Sequence, residues 1–395
     1  MAQSHLVSQA GRGAHGGRET IVNVQVLRAV AAAMVAFYHL QAMVNTAAGT
    51  RLKTHFGASG VDIFFVVSGF VMFQTTRGFR RSTLQFWLDR VVRIVPLYWL
   101  ATALLVAIYL SGRHPNGLGL VDVSDVVTSL FFIPHVRADG LKEPVLNLGW
   151  TLIYEMFFYF VFGLTFFLRS QVLSLLVLSG LFCGAIVAGV VFAPLSYAFN
   201  YYTNPIVLEF SVGCALSLWY DRRSGSDRAA RWLGSTLLVL GVASILGSDY
   251  FAYNASQGWF VRPLIYGIPA TLIVAGALIL EKSGQRWQSR RLLLLGAASY
   301  ALYLIHPMVM QPVTKAFGFI AHSPRIAPLL LGLPSVLGGY VFAAIVTLAG
   351  FAAALLAGVA VHLWLELPLH NKLRQALKPR VVLPPAKAAP AVVPD

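Results

Sequence analysis

Charged residues are scarce in this chain. Only 11% of its 395 residues are Asp, Glu, Lys or Arg, whereas a soluble domain has about 25%. Apolar residues make up 57% of the chain and aromatic residues 12%. This composition excludes an ordinary soluble domain and predicts an integral membrane protein. Acidic residues are fewer still, with 15 against 30 basic ones. In a membrane protein, the excess basic residues set the orientation in the membrane and contact lipid headgroups, so nucleic acid is not an expected partner.

Cysteines and catalytic or metal-binding motifs are also scarce. The two cysteines, Cys183 and Cys214, both lie in apolar runs, which excludes a disulfide framework and indicates small core residues. The sequence has no cluster of metal ligands and no Gly-x-Ser-x-Gly elbow, so we expect neither a metal site nor a serine-hydrolase triad. No permanently bound cofactor is expected. No cleavable signal peptide is predicted, because no small-residue cleavage site follows a short apolar core.

Long apolar segments dominate the rest of the chain, and they predict an all-α, polytopic membrane bundle of about ten transmembrane helices. Between the third and fourth segments, the apolar piece 126–134 is too short to span and is expected to re-enter the membrane or lie at its surface. The ten predicted spans are 21–44, 58–76, 95–111, 148–168, 172–193, 203–220, 232–249, 263–281, 292–313 and 335–363.

Basic residues alternate along these segments. If the N-terminus is cytoplasmic, Lys and Arg fall more than twice as often in inner segments as in outer ones. The positive-inside rule therefore predicts a multi-pass protein of the inner (cytoplasmic) membrane with both termini in the cytoplasm. Residues 1–20 and 370–395 are predicted to be disordered cytoplasmic tails around a membrane domain at 21–369.

Two polar side chains stand out in the first span. Arg28 and His39 are eleven residues apart in LRAVAAAMVAFYHL, which places both on one helix face about 16 Å apart along the axis. Arg28 is expected near one interface and His39 well inside the membrane. An ionisable residue at that depth indicates a functional site. The alternative is a histidine that only hydrogen-bonds a neighbouring helix.

Two carboxylates accompany this histidine in the predicted bundle. Asp62 opens the second span, just before Ser68, and either complements the helix dipole or orients His39. Glu155 lies about two turns inside the fourth span. It must meet a partner in the bundle or remain protonated, and Trp150 and Tyr154 are predicted to line a pocket beside it.

A pair of arginines precedes the third span. The segment STLQFWLDRVVR is predicted to form an amphipathic helix in the interface plane, followed by a turn at Pro96. Arg90 and Arg93 are i,i+3 neighbours on that helix and face the same way. Two adjacent guanidinium groups suit phosphate oxygens. The alternative is topology-setting charge or contact with lipid headgroups.

Other polar residues in the predicted spans have structural explanations that are at least as good. Glu209 fits a packing role, and Glu366 fits an interfacial anchor. His306 precedes Pro307 and is equally well explained as a cap for the backbone bonds that proline breaks. Ser299, Tyr300 and Tyr303 form a polar stripe at helical spacing.

Five of these sequence motifs, in this order, resemble acyltransferase family 3 over nearly the whole chain. Within that family, they resemble the exopolysaccharide-modifying branch most. They are the Arg28-x10-His39 pair, GVDIFFVVSGF at 60–70, DRVVRIVPLYW at 89–99, GWTLIYEMFFY at 149–159 and LGAASYALYLIHP at 295–307.

The resemblance implies an O-acetyltransferase that moves an acyl group from cytoplasmic acyl-CoA to a hydroxyl of a surface carbohydrate or its lipid-linked precursor. The acyl-CoA phosphates would lie at Arg28, Arg90 and Arg93, and His39 would act as general base or acyl acceptor. Asp62 or Glu155 would orient His39 or hold the sugar, with Ser68, Trp150 and Tyr154 in the substrate site.

A transporter or flippase for a surface-polymer precursor would also have many spans and buried carboxylates. It explains poorly the arginine pair combined with a deep histidine, and the sequence shows no internal repeat. A non-catalytic membrane scaffold would not explain why polar residues occur inside the predicted spans.

Overall fold

The structure is a computed structural model. It describes residues 21–48, 54–77, 82–113, 118–168, 170–192, 195–222, 227–248, 260–321 and 335–377. Every regular element in these ranges is helical. The predicted tail at 1–20 and residues 378–395 of the tail predicted at 370–395 lie outside the described residues. The first residues of that second tail are helical instead, because the helix that begins at Leu367 continues to Ala376.

Fourteen α-helices, numbered in chain order, form the described part of the molecule. The first seven are α1 Val22–Ala48, α2 Gly60–Thr76, α3 Thr83–Leu110, α4 Val123–Leu130, α5 Gly149–Leu164, α6 Gln171–Phe192 and α7 Tyr197–Tyr202. The others are α8 Leu208–Arg222, α9 Arg228–Gly247, α10 Ile268–Lys282, α11 Arg290–Ala297, α12 Ser299–Ala321, α13 Ser335–Val361 and α14 Leu367–Ala376. Two π-helical turns, Pro263–Gly267 and His362–Glu366, precede α10 and α14.

Eight helices among the described residues are long and apolar enough to cross a membrane. The pair α11 and α12, bent by 76°, gives a ninth span if it counts as one. The protein is therefore a multi-pass membrane protein. The sixth predicted span, 203–220, corresponds to α8, which has only 15 residues because a 3-10 turn at Pro205–Val207 takes up its first part.

Helix α3 differs from its prediction. A capping box formed by Ser82 and Gln85 starts a single helix of 28 residues, so the expected interfacial helix and third span are continuous. Pro96 lies inside this helix rather than in a turn.

The short helix α4 occupies the segment expected to re-enter or lie at the surface, and it packs on α3. Tyr98 and Trp99 donate to its Ser129 and Leu130 carbonyls at 3.1 and 2.9 Å.

Helices α2 and α8 lie side by side and run parallel. Phe65 stacks on Phe210 near the start of each helix, with ring centroids 4.5 Å apart, and Arg77 pairs with Asp221 near their ends. Between these contacts, the backbones meet at two glycines. A Cβ on Gly69 would lie 2.0 Å from the Phe210 carbonyl oxygen, and one on Gly213 would lie 2.0 Å from that of Val66. Only glycine fits this close approach.

Helix α1 is at the centre of the bundle. It packs against α2, α10, α11, α12 and α13, and its apolar side chains contribute to all three core clusters of the described residues. Because the helix is continuous from Val22 to Ala48, it holds Arg28 and His39 at a fixed separation.

Candidate active site

A cavity of about 220 Å³ lies between α1, α2, α3, α5 and α12. Its apolar walls come largely from α2, and its polar side chains come from all five helices. These polar residues are Arg28, Ser68, Thr75, Arg90, Arg93, Thr151, Glu155, Tyr159, Ser299, Tyr300 and Tyr303. The structure thus brings the first, second, fourth and ninth predicted spans together with the segment that precedes the third.

Three arginines give this cavity its positive charge. Arg28 donates to Ser299 Oγ at 3.1 Å. Arg90 is only 9% exposed, lies over the Tyr159 ring, and has an Nε without a hydrogen-bond partner in the described part of the chain. Among the described residues, none of Arg28, Arg90 and Arg93 forms an ion pair with a carboxylate. Guanidinium groups gathered in this way can bind an anion.

Glu155 is the carboxylate that lines this cavity, and two hydroxyl groups hold it. Tyr159 donates to Glu155 Oε1 at 2.5 Å and Ser68 donates to the same oxygen at 3.1 Å. The two hydroxyl oxygens are 3.2 Å apart. This half-buried carboxylate therefore meets polar partners, and it also attracts Arg28 and Arg90 electrostatically.

His39 does not line this cavity but contacts a residue that neighbours its wall. Its ring packs against His306, with centroids 5.2 Å apart, and against Tyr38 at 5.4 Å. His39 is not among the cavity-lining residues. Tyr303 lines the cavity and lies 6.3 Å from His306, and Phe64 packs edge-on against Tyr303 at 6.1 Å. Tyr303 and His306 thus connect the cavity wall to the ring of His39.

Asp62 does not orient His39. Its carboxylate accepts a hydrogen bond from Arg262 at 2.8 Å, and the same guanidinium also donates to the Ala58 carbonyl. Glu209, only 4% exposed, interacts electrostatically with both Asp62 and Arg262. Because α2 and α8 are parallel, their first turns place both carboxylates at the same end of the bundle.

Trp150 and Tyr154 do not line the cavity beside Glu155. Helical spacing puts Thr151, Glu155 and Tyr159 on the cavity face of α5 and turns Trp150 and Tyr154 to the other side. Trp150 lies under the Arg262 guanidinium at 5.5 Å. Tyr154 stacks on Tyr201 at 4.2 Å.

Several site residues were not identified from the sequence. Arg262 is one of them. The sequence did carry a signal for it, because Asp62 inside a span needs a cationic partner and Arg262 stands at the start of another span. Glu366 is not a simple interfacial anchor. Its carboxylate binds His362 Nδ1 at 2.7 Å and attracts Arg28 electrostatically. The polar stripe that includes Tyr303 and leads to His306 was visible, but its proximity to His39 depends on packing between α1 and α12.

Comparison with known proteins gives a consistent result. A family model described as an acyltransferase domain matches residues 21–360. The exopolysaccharide production protein ExoZ of Rhizobium meliloti is 35% identical over 334 residues, which is 82% of this chain and 93% of ExoZ. No solved structure matches.

Two further relatives are named for acetyl transfer. They are the putative peptidoglycan O-acetyltransferase YrhL of Bacillus subtilis, 28% identical over 322 residues, and the peptidoglycan O-acetyltransferase OatA of Listeria monocytogenes, 27% identical over 328 residues. The matches cover 71% and 75% of this chain. They extend over only 47% and 50% of those two proteins, so the chain spans about half their length.

Proposed function

Because the chain belongs to acyltransferase family 3, we propose that it moves an acetyl group from acyl-CoA to a hydroxyl of a surface carbohydrate or its lipid-linked precursor. Membership of the family makes it an acyltransferase. The names of its relatives refer to exopolysaccharide production and to peptidoglycan O-acetylation. These names support a glycan acceptor here.

The observation that carries the donor proposal is the set of arginines on the cavity. Arg28, Arg90 and Arg93 come from two helices and have no carboxylate ion-pair partner among the described residues. Several cations gathered without ion-pair partners repel one another, so the site favours a polyanion. Coenzyme A carries phosphates, and Arg90 and Arg93 can offer them planar forks of N–H donors.

The distance from this cluster to His39 suits a thioester on a long arm. Arg28 and His39 lie on one continuous helix about 16 Å apart along its axis, comparable to the pantetheine arm. With the phosphates held at the arginines, the arm would run through the cavity toward Tyr303 and Phe64. His39 does not line the cavity in this structure, so the passage from the cavity to its ring must widen when the donor binds.

His39 supplies the base in this proposal. Its unprotonated nitrogen takes the proton of the acceptor hydroxyl as that oxygen bonds to the thioester carbon. The carbon–sulfur bond breaks, and the CoA thiolate then receives the proton from His39. In an alternative route the same nitrogen first accepts the acyl group and the hydroxyl attacks second. Glu155, held by Ser68 and Tyr159, keeps the arginine side of the cavity ordered in both routes.

We place the protein in the inner membrane with both termini in the cytoplasm. In this orientation the arginine cavity opens toward the cytoplasm, where acyl-CoA is made. The Asp62–Arg262 pair then lies toward the outer surface.

Loss of His39 tests the proposal. In a strain without this gene, His39→Ala should lower acetylation of the surface polysaccharide by about 100-fold or more, because general base catalysis contributes about that factor. Mass spectrometry of the polysaccharide repeat measures the acetyl content. The matched control is His55→Ala, which removes another ring packed against Tyr38 and should leave acetylation intact. Normal acetylation by a His39→Ala protein present at wild-type level would remove His39 from the mechanism.

A further inference from the structure

His306 is the nearest titratable neighbour that the structure shows for His39. Its side chain is fully buried in α12, and its ring centroid lies 5.2 Å from that of His39. The two carboxylates expected to orient His39 are both engaged elsewhere, Asp62 with Arg262 and Glu155 with Ser68 and Tyr159. A group that orients the imidazole of His39 must therefore come from another element.

The two ring nitrogens of His306 have different surroundings. Nδ1 is 3.2 Å from the Leu302 carbonyl oxygen. Because a carbonyl only accepts, Nδ1 must carry the proton and donate it. The neutral ring then has an unprotonated Nε2, which can accept a hydrogen bond. This nitrogen is buried and has no partner in the described residues.

A structural role accounts for only half of this arrangement. Pro307 follows directly and lacks an N–H, so a side chain that binds a carbonyl one turn earlier stabilises the helix there. The Nδ1 bond to Leu302 satisfies that role. It gives no reason to bury a second polar nitrogen without a partner, which costs about 1–3 kcal/mol.

We propose that His306 is a positioning residue whose Nε2 accepts the N–H of His39 in the reacting state. This inference rests on the proposed function. The hydrogen bond leaves the other nitrogen of His39 free to take the proton of the acceptor hydroxyl. It also stabilises the imidazolium that forms, until the proton passes to the departing thiolate. His306 itself gains and loses no proton, because the Leu302 carbonyl fixes its Nδ1–H. Hydrogen bonds of this kind are often longer before substrate binds.

Two isosteric substitutions separate this role from a structural cap. The amide of His306→Asn can replace the Nδ1–H bond to Leu302 but has no atom at the Nε2 position. The longer His306→Gln places its amide oxygen near Nε2 and loses the short bond to Leu302. The assay uses inverted membrane vesicles of the native host, which contain their own acceptor, with radiolabelled acetyl-CoA as donor.

We expect His306→Asn to lower the maximal rate on the order of 10–100-fold, as loss of a partner that orients a functional histidine commonly does. The KM for acetyl-CoA should stay unchanged, since the arginine cavity is intact. His306→Gln should recover most of the rate. The opposite pattern, an active Asn variant and an inactive Gln variant, would make His306 a cap only. Wild-type rates in both variants would also overturn the proposal.

A second measurement does not depend on the folding of His306 variants. In protein labelled with [15N]histidine, saturation with a non-transferable acetyl-CoA analogue should shift the unprotonated Nε2 resonance of His306 in wild type but not in His39→Ala. A wild-type resonance that the analogue leaves unchanged would refute the contact. If wild-type vesicles transfer no acetyl label, or if His39→Ala keeps the full rate, the proposed function fails instead, and the resonance still tests the histidine pair.

Discussion

At the scale of single residues, the arginine pair on α3 separates donor binding from chemistry. Arg90 and Arg93 line the cavity, and His39 is not among its lining residues. The interactions that hold the donor head are therefore distant from the bonds that change. Interactions made equally in the ground state and transition state affect KM more than kcat.

The double substitution Arg90→Ala with Arg93→Ala should raise the KM for acetyl-CoA by at least about tenfold, since each charge-assisted bond contributes about 1.5–3 kcal/mol. The KM for the acceptor and the maximal rate should change much less. Initial rates over a range of acetyl-CoA concentrations in membrane vesicles measure both quantities.

The control for this substitution is Arg231→Ala, which removes an exposed arginine from a different cavity beside α9. It should leave the donor KM unchanged. If the double variant binds acetyl-CoA as well as wild type does, the arginine pair serves topology or lipid contact.

The sequence predicted which residues surround this cavity better than it predicted their partners. Arg28, Arg90, Arg93, Ser68 and Glu155 all line it, because each is a polar residue that an apolar span must turn inward. The partner of Asp62 could not be predicted in this way, since Arg262 is 200 residues away in sequence. Trp150 and Tyr154 were misplaced because neighbours of Glu155 in sequence point to another face of the helix.

At the scale of the helices, the contact between α2 and α8 is the most restrictive feature. Gly69 and Gly213 each place their Cα against the backbone of the other helix. Glu209 on α8 lies beside Asp62 on α2, and Ser68 on α2 reaches Glu155. A displacement of α2 would therefore disturb both the Asp62–Glu209 cluster and the arginine cavity.

Gly69→Ala or Gly213→Ala should destabilise the protein by about 1–3 kcal/mol, because a Cβ at either position would overlap a carbonyl oxygen and force the helices apart. Thermal unfolding of the purified protein in detergent measures the effect. Gly180→Ala is the matched control, since a Cβ at that helical glycine meets nothing within 4 Å. A variant at Gly69 that unfolds at the wild-type temperature would show that the contact is looser than described.

Sequence patterns predicted the existence of these helices well and their limits poorly. A helix occurs at each of the ten predicted positions, because long apolar runs leave the backbone no other way to satisfy its hydrogen bonds in lipid. The pattern did not predict that α3 continues through Pro96 or that α8 is short. A proline is tolerated inside a membrane helix when neighbouring groups satisfy the freed backbone, and that depends on tertiary packing.

At the scale of the whole molecule, four helices begin at the same end. Asp62, Trp150, Glu209 and Arg262 mark the starts of α2, α5, α8 and the turn before α10, and they contact one another. The three arginines of the cavity lie toward the opposite end, near the starts of α1 and α3. The sequence-based orientation predicts the first end to be outside and the second to face the cytoplasm.

Single cysteines test that orientation. Lys142→Cys, in the exposed loop before α5, should react with a membrane-impermeant maleimide in intact cells. Gln288→Cys, in the exposed turn between α10 and α11, should react only in inverted vesicles. The unsubstituted protein is the control, since Cys214 is buried and Cys183 lies on an apolar helix. The reverse labelling pattern would invert the protein and place the arginine cavity outside.

The uninterrupted course of α1 has one more consequence. Since Arg28 and His39 belong to the same helix, their spacing acts as a molecular ruler that no loop or hinge can adjust. A single residue inserted between them would turn the imidazole by about 100° around the axis, away from His306. Residues can thus be added or removed at the ends of the first span, but not between Arg28 and His39.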